Sequence, residues 1–131
     1  MVNRQPLSIV IRIPDVTLSR VDLETALGLL LDRYEQPTDS GAGYAQIDIA
    51  DDGDQWAAAL DCVQSTHDPI QRLVSKSLIG SRCLDVAAGF PSSALSTSLT
   101  VPAGLAAVAG ETGMDIDISI YRTGTTHERR K

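Results

Sequence analysis

The chain has 131 residues, of which 43% are hydrophobic, 21% are charged and 4% are aromatic. This length suits one domain with one hydrophobic core, and the balance of apolar and charged residues argues against a wholly disordered chain. The formal net charge of -6 repels phosphate, and few aromatic side chains are present to stack on bases. We therefore expect no nucleic-acid partner.

The charge is distributed unevenly between the body of the chain and its C-terminal end. Residues 122–131 hold 4 of the 11 basic side chains and 1 of the 17 acidic ones. Residues 1–121 therefore hold 7 basic and 16 acidic side chains, a net charge of -9. A charge of this sign speeds the encounter with a basic partner.

The first third of the chain predicts a strand followed by a helix. Apolar and polar residues alternate at 7–13, which is typical of a half-buried strand, and Pro14 is expected to end it. Ser19 followed three residues later by Asp22 resembles a capping box. An apolar stripe at helical spacing then predicts a helix to about Arg33.

The middle of the chain predicts a loop, a second strand and further helix. Turn-forming residues fill 35–43, and alternation resumes at 44–50. Asp54 suits the cap of a second helix. The pair Asp68-Pro69 marks another helix start, so this region forms either two short helices or one kinked helix.

The last third predicts a hairpin, a helix and a closing strand. Residues 84–88 and 95–101 both alternate and are read as antiparallel strands. Pro102 opens a helix of small residues. In the closing run 114–121 the isoleucines occupy one face, which we expect to be buried, and two aspartates and a serine occupy the other.

These elements predict an α+β fold with a single domain at 1–123 and the order β-α-β-α(α)-β-β-α-β. Helices are expected to cover one face of a five-stranded sheet that is mostly antiparallel or mixed. The polar residues at 124–131 are expected to form a disordered tail.

Asp48, Asp85, Asp115 and Asp117 fall on the polar faces of the predicted strands, so they are expected to share one sheet face. Such a face suits a basic partner or a divalent cation, or it is simply solvated. Asp115 and Asp117 are about 6.5 Å apart along a strand. That separation disfavours joint chelation, and we predict no metal site.

A second acidic group consists of Asp51, Asp52 and Asp54, which follow Asp48 closely. It lacks the ligand spacing of an EF-hand, so helix capping and solubility are the plain alternatives to partner binding. Charge reversal at 51, 52 and 54 is expected to leave the fold nearly intact. The candidate partner-binding residues are Asp48, Asp51, Asp52, Asp54, Asp85, Asp115 and Asp117.

The sequence contains no constellation that predicts catalysis or cofactor binding. Cys62 and Cys83 lie outside any C-x-x-C spacing, and a pair of Cys62 with His67 is disfavoured because helical spacing points the thiol into the apolar stripe. Neither a dinucleotide-binding glycine motif nor a P-loop is present. No signal or membrane span is recognised, so a cytoplasmic protein without cofactors is expected.

Three segments of the C-terminal third form a pattern of strand, strand, proline-opened helix and a strand that ends in tyrosine. They are Leu84-Asp85-Val86, Leu99-Thr100-Val101-Pro102-Ala103-Gly104-Leu105 and Met114-Asp115-Ile116-Asp117-Ile118-Ser119-Ile120-Tyr121. This pattern covers about a third of the chain and resembles small bacterial α+β domains, some of which are encoded beside polymorphic or contact-dependent toxins as immunity proteins. The resemblance implies a non-enzymatic protein that binds a cognate toxin, and it brings no catalytic residues.

The favoured hypothesis is therefore an acidic immunity or antitoxin protein that binds a basic toxin domain. One alternative is a ligand-binding domain or enzyme with a pocket near the 35–43 loop. Another is a structural subunit that forms a homo-oligomer through an exposed apolar patch.

Overall fold

Alternating apolar residues near the start of the chain build the central strand of a five-stranded mixed sheet. The computed structural model describes residues 4–123, and the fold in that range is α+β, as predicted. The elements in chain order are β1 Ser8–Val16, α1 Arg20–Leu27, β2 Arg33–Glu35, β3 Gly43–Asp48, α2 Gln55–Ser75, β4 Cys83–Pro91, α3 Ala103–Glu111 and β5 Asp115–Thr123. The predicted tail at 124–131 lies outside the described residues.

β1 lies in the middle of the sheet, whose strand order is β2-β3-β1-β4-β5. It pairs antiparallel with β3 on one side and with β4 on the other, so that Val10 is opposite both Asp48 and Asp85. β5 pairs parallel with β4, and Asp85 is opposite Asp117. A parallel pair needs a crossover connection, which α3 supplies between these two strands.

The helices pack on one face of the sheet and enclose a single core. Ile9, Ile11 and Ile13 alternate along β1 on that face and are fully buried. Leu84 and Val86 of β4 lie opposite this row and are fully buried as well. The helices contribute Leu23 and Leu27 of α1, Trp56, Ala59, Val63, Ile70 and Leu73 of α2, and Leu105 and Ala109 of α3.

β1 continues past Pro14, where it was expected to end. Its pairing with β3 shifts register between Ile13 and Val16, and Asp15 in this interval has a positive φ of 56°. A bulge of this kind accommodates proline because the ladder of hydrogen bonds is already interrupted. The Pro14 carbonyl still accepts a hydrogen bond of 2.8 Å from the Gly80 N–H.

α1 is shorter than predicted because Gly28 ends it. Ser19 caps the helix as expected, and its hydroxyl accepts a hydrogen bond from the Asp22 N–H. Gly28 adopts a left-handed conformation with φ of 74°, and its N–H donates to the Glu24 carbonyl. Glycine tolerates this conformation at helix ends. The chain beyond it forms β2, where helix and loop were expected.

α2 is one helix of 21 residues that passes through Pro69, so the two-helix alternative is wrong. Proline lacks an N–H, and one carbonyl of the preceding turn therefore loses its helical partner. The buried stripe continues on both sides of the proline, with Val63 before it and Ile70 after it. Packing of this stripe on the sheet holds the two halves of the helix together.

The predicted strand at 95–101 is wrong, and so is the hairpin that it would form with β4. This segment has no strand structure, and Leu95 is fully exposed while Leu99 and Val101 are only partly buried against the core. β4 instead runs to Pro91, with β1 on one edge and β5 on the other. Both edges of β4 are occupied, so no place beside it remains for a hairpin partner.

The isoleucine face of β5 is covered along only part of its length, which corrects the expectation that it is buried throughout. Ile116 is partly buried, but Ile118 is 47% exposed and Ile120 is 68% exposed. α3 has nine residues and spans about 13 Å, whereas the nine residues of β5 span about 30 Å. The helix is too short to reach the second half of the strand.

Candidate binding face

The sheet face that points away from the helices, called here the open sheet face, carries a row of side chains that crosses four strands. Asp48 of β3, Val10 of β1, Asp85 of β4 and Asp117 of β5 are consecutive neighbours in this row. With strands about 4.8 Å apart, the row is about 14 Å wide. Asp115 lies on the same face, two residues earlier along β5. The four aspartates that were expected to share a face therefore lie together.

Arg12 and Asp85 form the centre of the open sheet face. Asp85 is 7% exposed, and its Oδ2 accepts hydrogen bonds from Arg12 Nε at 3.0 Å and Nη2 at 2.5 Å. Its Oδ1 accepts from the Ser119 hydroxyl at 2.8 Å. These bonds offset the cost of burying a carboxylate. The bond to Asp85 also raises the pKa of Arg12 above its ordinary value.

The hydrogen-bond network continues from Arg12 across β3. Arg12 Nη1 donates to the Tyr44 hydroxyl at 2.9 Å, and this hydroxyl donates to Gln46 Oε1 at 3.0 Å. Gln46 Nε2 donates in turn to Asp48 Oδ1 at 2.8 Å. Side chains of β3, β1, β4 and β5 are thus joined in one network, which fixes their positions on a face that no helix of residues 4–123 covers.

Three carboxylates on the open sheet face are not neutralised by a basic side chain of residues 4–123. The ion pairs Arg12–Asp85 and Arg33–Glu35 cancel the other charges of this face. The remaining carboxylates are exposed to solvent and form no ion pair within the described range. They belong to Asp48, Asp115 and Asp117.

The acidic group between β3 and α2 contains one structural carboxylate and two that face solvent. Asp54 is the cap of α2, and its Oδ1 accepts hydrogen bonds from the N–H groups of Trp56 at 3.1 Å and Ala57 at 3.3 Å. Asp51 and Asp52 are exposed and follow directly after the β3 end of the face. Asp54 therefore has a role in folding, and the other two are the better candidates for contact with a partner.

Replacing Asp54 by alanine is expected to lower the free energy of unfolding by about 1 kcal/mol, because two N–H groups at the start of α2 lose their acceptor. Asp51→Ala and Asp52→Ala are matched controls that should each change it by about 0.5 kcal/mol or less. Urea unfolding followed by circular dichroism measures all three. Equal losses at the three positions would contradict the cap. Lysine at position 54 cannot accept these hydrogen bonds either. Charge reversal at 51, 52 and 54 is therefore expected to destabilise the domain, contrary to the expectation from the sequence.

The two cysteines are free thiols with raised pKa values. Cys83 lies on the open sheet face and donates a hydrogen bond to Asp117 Oδ2 at 3.0 Å. Burial, together with this hydrogen bond, raises the pKa of Cys83 to about 12. Burial also raises the pKa of Cys62 on α2. Both thiols are therefore protonated at neutral pH, unlike the thiolates that act as nucleophiles.

Cys83 is expected to react slowly with iodoacetamide near pH 8 and faster as the pH rises, because the thiolate is the reactive form. Asp117→Asn should speed the reaction near pH 8, since loss of the negative acceptor lowers the pKa of the thiol. Mass spectrometry of the alkylated peptide follows the rate. Asp115→Asn removes the same charge but keeps the hydrogen bond, and equal rates in the two variants would show that Asp117 does not control Cys83.

Depressions of about 670, 410 and 210 Å³ are among those on the surface of residues 4–123, and these three lie along the helices and their ends. The first is lined by α2 residues alone, from Ala58 to Ser65, so it lies on the outside of one helix. None of the three includes a residue of the 35–43 segment, beside which a pocket was considered. Within residues 4–123, no group of three or more histidine, cysteine, aspartate or glutamate side chains is placed to hold a metal ion.

Sequence reasoning did not single out Arg12, Tyr44 or Gln46 as members of the candidate face. A signal for Arg12 exists, because it is the charged residue in the alternating run that forms β1. Its link to Asp85 depends on β1 and β4 being neighbours, which alternation along each strand does not specify. The hydrogen-bond network therefore forms only because the strand order places β1 beside β4.

Comparisons with known proteins assign no family to the chain. No protein-family model, no curated protein and no solved structure matches it. In the part of the chain that the structure describes, no helix combines the length and apolar character needed to cross a bilayer. The geometry and charge of the open sheet face are therefore the basis for a function.

Proposed function

We propose that this protein is a non-enzymatic acidic binding protein of the immunity or antitoxin type, which neutralises a basic toxin domain by direct binding. One observation carries the proposal. On the open sheet face, Asp48, Asp115 and Asp117 hold negative charge that no basic side chain of residues 4–123 cancels. Lysine and arginine side chains of a basic partner would complement them.

The shape of the open sheet face also suits a protein partner. A sheet face without a covering layer is broad and presents side chains from several strands at once. The network from Ser119 through Asp85 and Arg12 to Asp48 holds these side chains in place before binding. A preorganised surface loses less conformational entropy when a partner binds.

The charge of the whole body favours rapid capture of a basic partner. Residues 1–121 carry a net charge of -9, and opposite charges steer two proteins together over distances limited by ionic screening. Complementary charge raises the association rate and the specificity of a complex more than its affinity. Rapid association would serve a protein whose task is to block a toxin early.

The resemblance of residues 84–121 to immunity-type domains points to the same class of function. Of the elements in its pattern, β4, the helix opened by Pro102 and β5 are present in the structure, and the strand expected at 95–101 is not formed. The resemblance implies this class of function, and the uncancelled charge of the open sheet face supports that face as the binding surface.

Protection of bacterial cells tests the proposed function. The probe is the product of the reading frame directly upstream of the gene, which is expected to arrest growth when expressed alone and not when this protein is coexpressed. Asp48→Lys combined with Asp115→Lys should weaken protection. Asp61→Lys combined with Glu111→Lys makes the same change in net charge at exposed helix positions and should protect as the wild type does. Continued growth arrest in the presence of the wild-type protein would refute the proposal.

A further inference from the structure

The two edges of the sheet differ in length and chemistry. The β2 edge has three residues, and two of them are the charged, paired Arg33 and Glu35. The β5 edge has nine residues, and within residues 4–123 it has no strand partner beyond β4. Proteins usually protect edge strands by making them short or charged, because unpaired N–H and C=O groups can pair with another chain. β2 is short and charged, whereas β5 is long and has no charged side chain from Ile118 to Tyr121.

Exposed apolar side chains lie along the unprotected edge. Ile118 is 47% exposed and Ile120 is 68% exposed on the helix side, and Tyr121 is 53% exposed on the open sheet face. Their burial against another strand would remove apolar area from water and would also satisfy the backbone groups of the edge. Both gains require a partner in extended conformation that presents apolar side chains on the same side.

We propose that β5 pairs antiparallel with β5 of a second copy of this chain, which joins the two sheets into one continuous sheet. A two-fold axis at Ile118, near the middle of β5, makes the same strand serve as both partners, because a two-fold dimer uses the same surface of each copy. The pairing register that stacks the apolar side chains places Ile118 opposite Ile118 of the second copy. Ile116 then lies opposite Ile120, and each pair stays on the helix side because facing residues share a side of the sheet.

The side-chain pattern of β5 supports a second copy as the occupant. Ile116, Ile118 and Ile120 are placed symmetrically about Ile118, so the strand is complementary to itself in antiparallel pairing. Antiparallel pairing also places the Arg122 end of one strand at the Asp115 end of the other, whereas parallel pairing would bring like ends together. Arg122 points to the helix side and the two aspartates to the open sheet face, so these charges form no direct pair and apolar contacts hold the strands together.

The proposed dimer is independent of the proposed toxin-binding function. Pairing at the edge leaves the open sheet faces of both copies uncovered and continuous with each other. Asp48, Asp51 and Asp52 lie at the β3 side, away from the pairing edge, whereas Asp115 and Asp117 belong to β5 and stay on the uncovered open sheet face. A protein that fails to protect against a toxin could still be this dimer, and a monomer could still protect.

Light scattering during size-exclusion chromatography tests the proposal through the molecular mass. The wild type is expected to elute with twice the mass of one chain, and Ile118→Lys combined with Ile120→Lys with the mass of one chain, because the paired strands would bring four lysines together. Val21→Lys combined with Leu30→Lys is the matched control, since these side chains are 70% and 78% exposed on and after α1. This control should remain dimeric, and circular dichroism verifies that each variant is folded. A monomeric wild type, or a dimer unaffected by the β5 substitutions, would overturn the proposal.

A disulfide cross-link tests the pairing register of the two β5 strands without introducing charged residues at the interface. In the proposed register the two Ile118 Cα atoms lie about 4.5 to 5.5 Å apart, which is within the range that a disulfide bridges. Ile118→Cys in a chain with Cys62→Ala and Cys83→Ala is therefore expected to form a covalent dimer under mild oxidation. Leu30→Cys in the same background should not. Failure of the Ile118→Cys chain to cross-link more than the Leu30→Cys chain would refute the pairing.

Discussion

Replacing Ile11 by alanine is expected to lower the free energy of unfolding by about 3 to 4 kcal/mol. Ile11 is fully buried at the centre of the sheet, where its neighbours in register are Ile47 of β3 and Leu84 of β4. Truncation loses the transfer free energy of the removed carbons, and a cavity remains because the paired strands on both sides cannot close on it. This is the largest loss that we expect from a single truncation in β1.

Ile118→Ala is the control for this prediction. Ile118 is also an isoleucine of a strand, but it is 47% exposed, so the same substitution should cost about 1 kcal/mol or less. Urea denaturation of both variants at high dilution, where any dimer dissociates, compares the two positions within one chain. A loss at Ile118 equal to the loss at Ile11 would contradict the incomplete cover over β5.

Asp85→Ala is expected to cost about 2 to 3 kcal/mol, because three hydrogen bonds to a buried carboxylate are lost. The partners, Arg12 and Ser119, belong to β1 and β5, the two strands that flank β4. The substitution therefore removes the side-chain hydrogen bonds that connect these three strands on the open sheet face. The Arg12 side chain is 41% exposed and can turn toward water. That exposure limits the loss to the stated range.

A double-mutant cycle separates the Arg12–Asp85 interaction from other effects of the substitution. Arg12→Met with Asp85→Ala removes both charges, so no unpaired ion is left, and the combined loss should be smaller than the two single losses together by about 1 kcal/mol or more. Free energies from denaturant unfolding supply all four corners of the cycle. Losses that add within about 0.5 kcal/mol would contradict a coupled pair.

The elements that alternation and capping specify locally were predictable from the sequence. The Ser19 and Asp54 caps, the helix opened by Pro102 and the first and last strands all appear in the structure. Each depends on residues near one another in the chain, where side-chain periodicity and backbone hydrogen bonding decide the conformation. The α+β class follows from the sum of these local preferences.

Features that depend on the neighbours of an element were not predictable in the same way. Residues 95–101 alternate as a strand would, but β1 and β5 already occupy both edges of β4. Ile118 has the parity of a buried residue, but α3 is too short to cover it. Arg82 is 4% exposed and donates to the Thr66 hydroxyl at 2.6 Å, a contact that needs β4 and α2 to pack together.

On the candidate face, too, features set by the local sequence were predictable and features set by neighbouring strands were not. The shared side of Asp48, Asp85, Asp115 and Asp117 follows from strand alternation and was predicted. The different states of these carboxylates were not predicted, because Asp85 is neutralised only through the neighbouring strand that carries Arg12. The strand order, as well as the composition, therefore determines which carboxylates remain available to a partner.

The association rate between this protein and a basic toxin domain is the measurement that tests binding through the open sheet face most directly. Stopped-flow mixing at low ionic strength, with the upstream gene product as the probe, compares two variants of equal net charge. Asp48→Lys with Asp115→Lys is expected to associate about tenfold more slowly than the wild type, and Asp61→Lys with Glu111→Lys to change the rate far less. Equal rates for the two variants would contradict binding through this face.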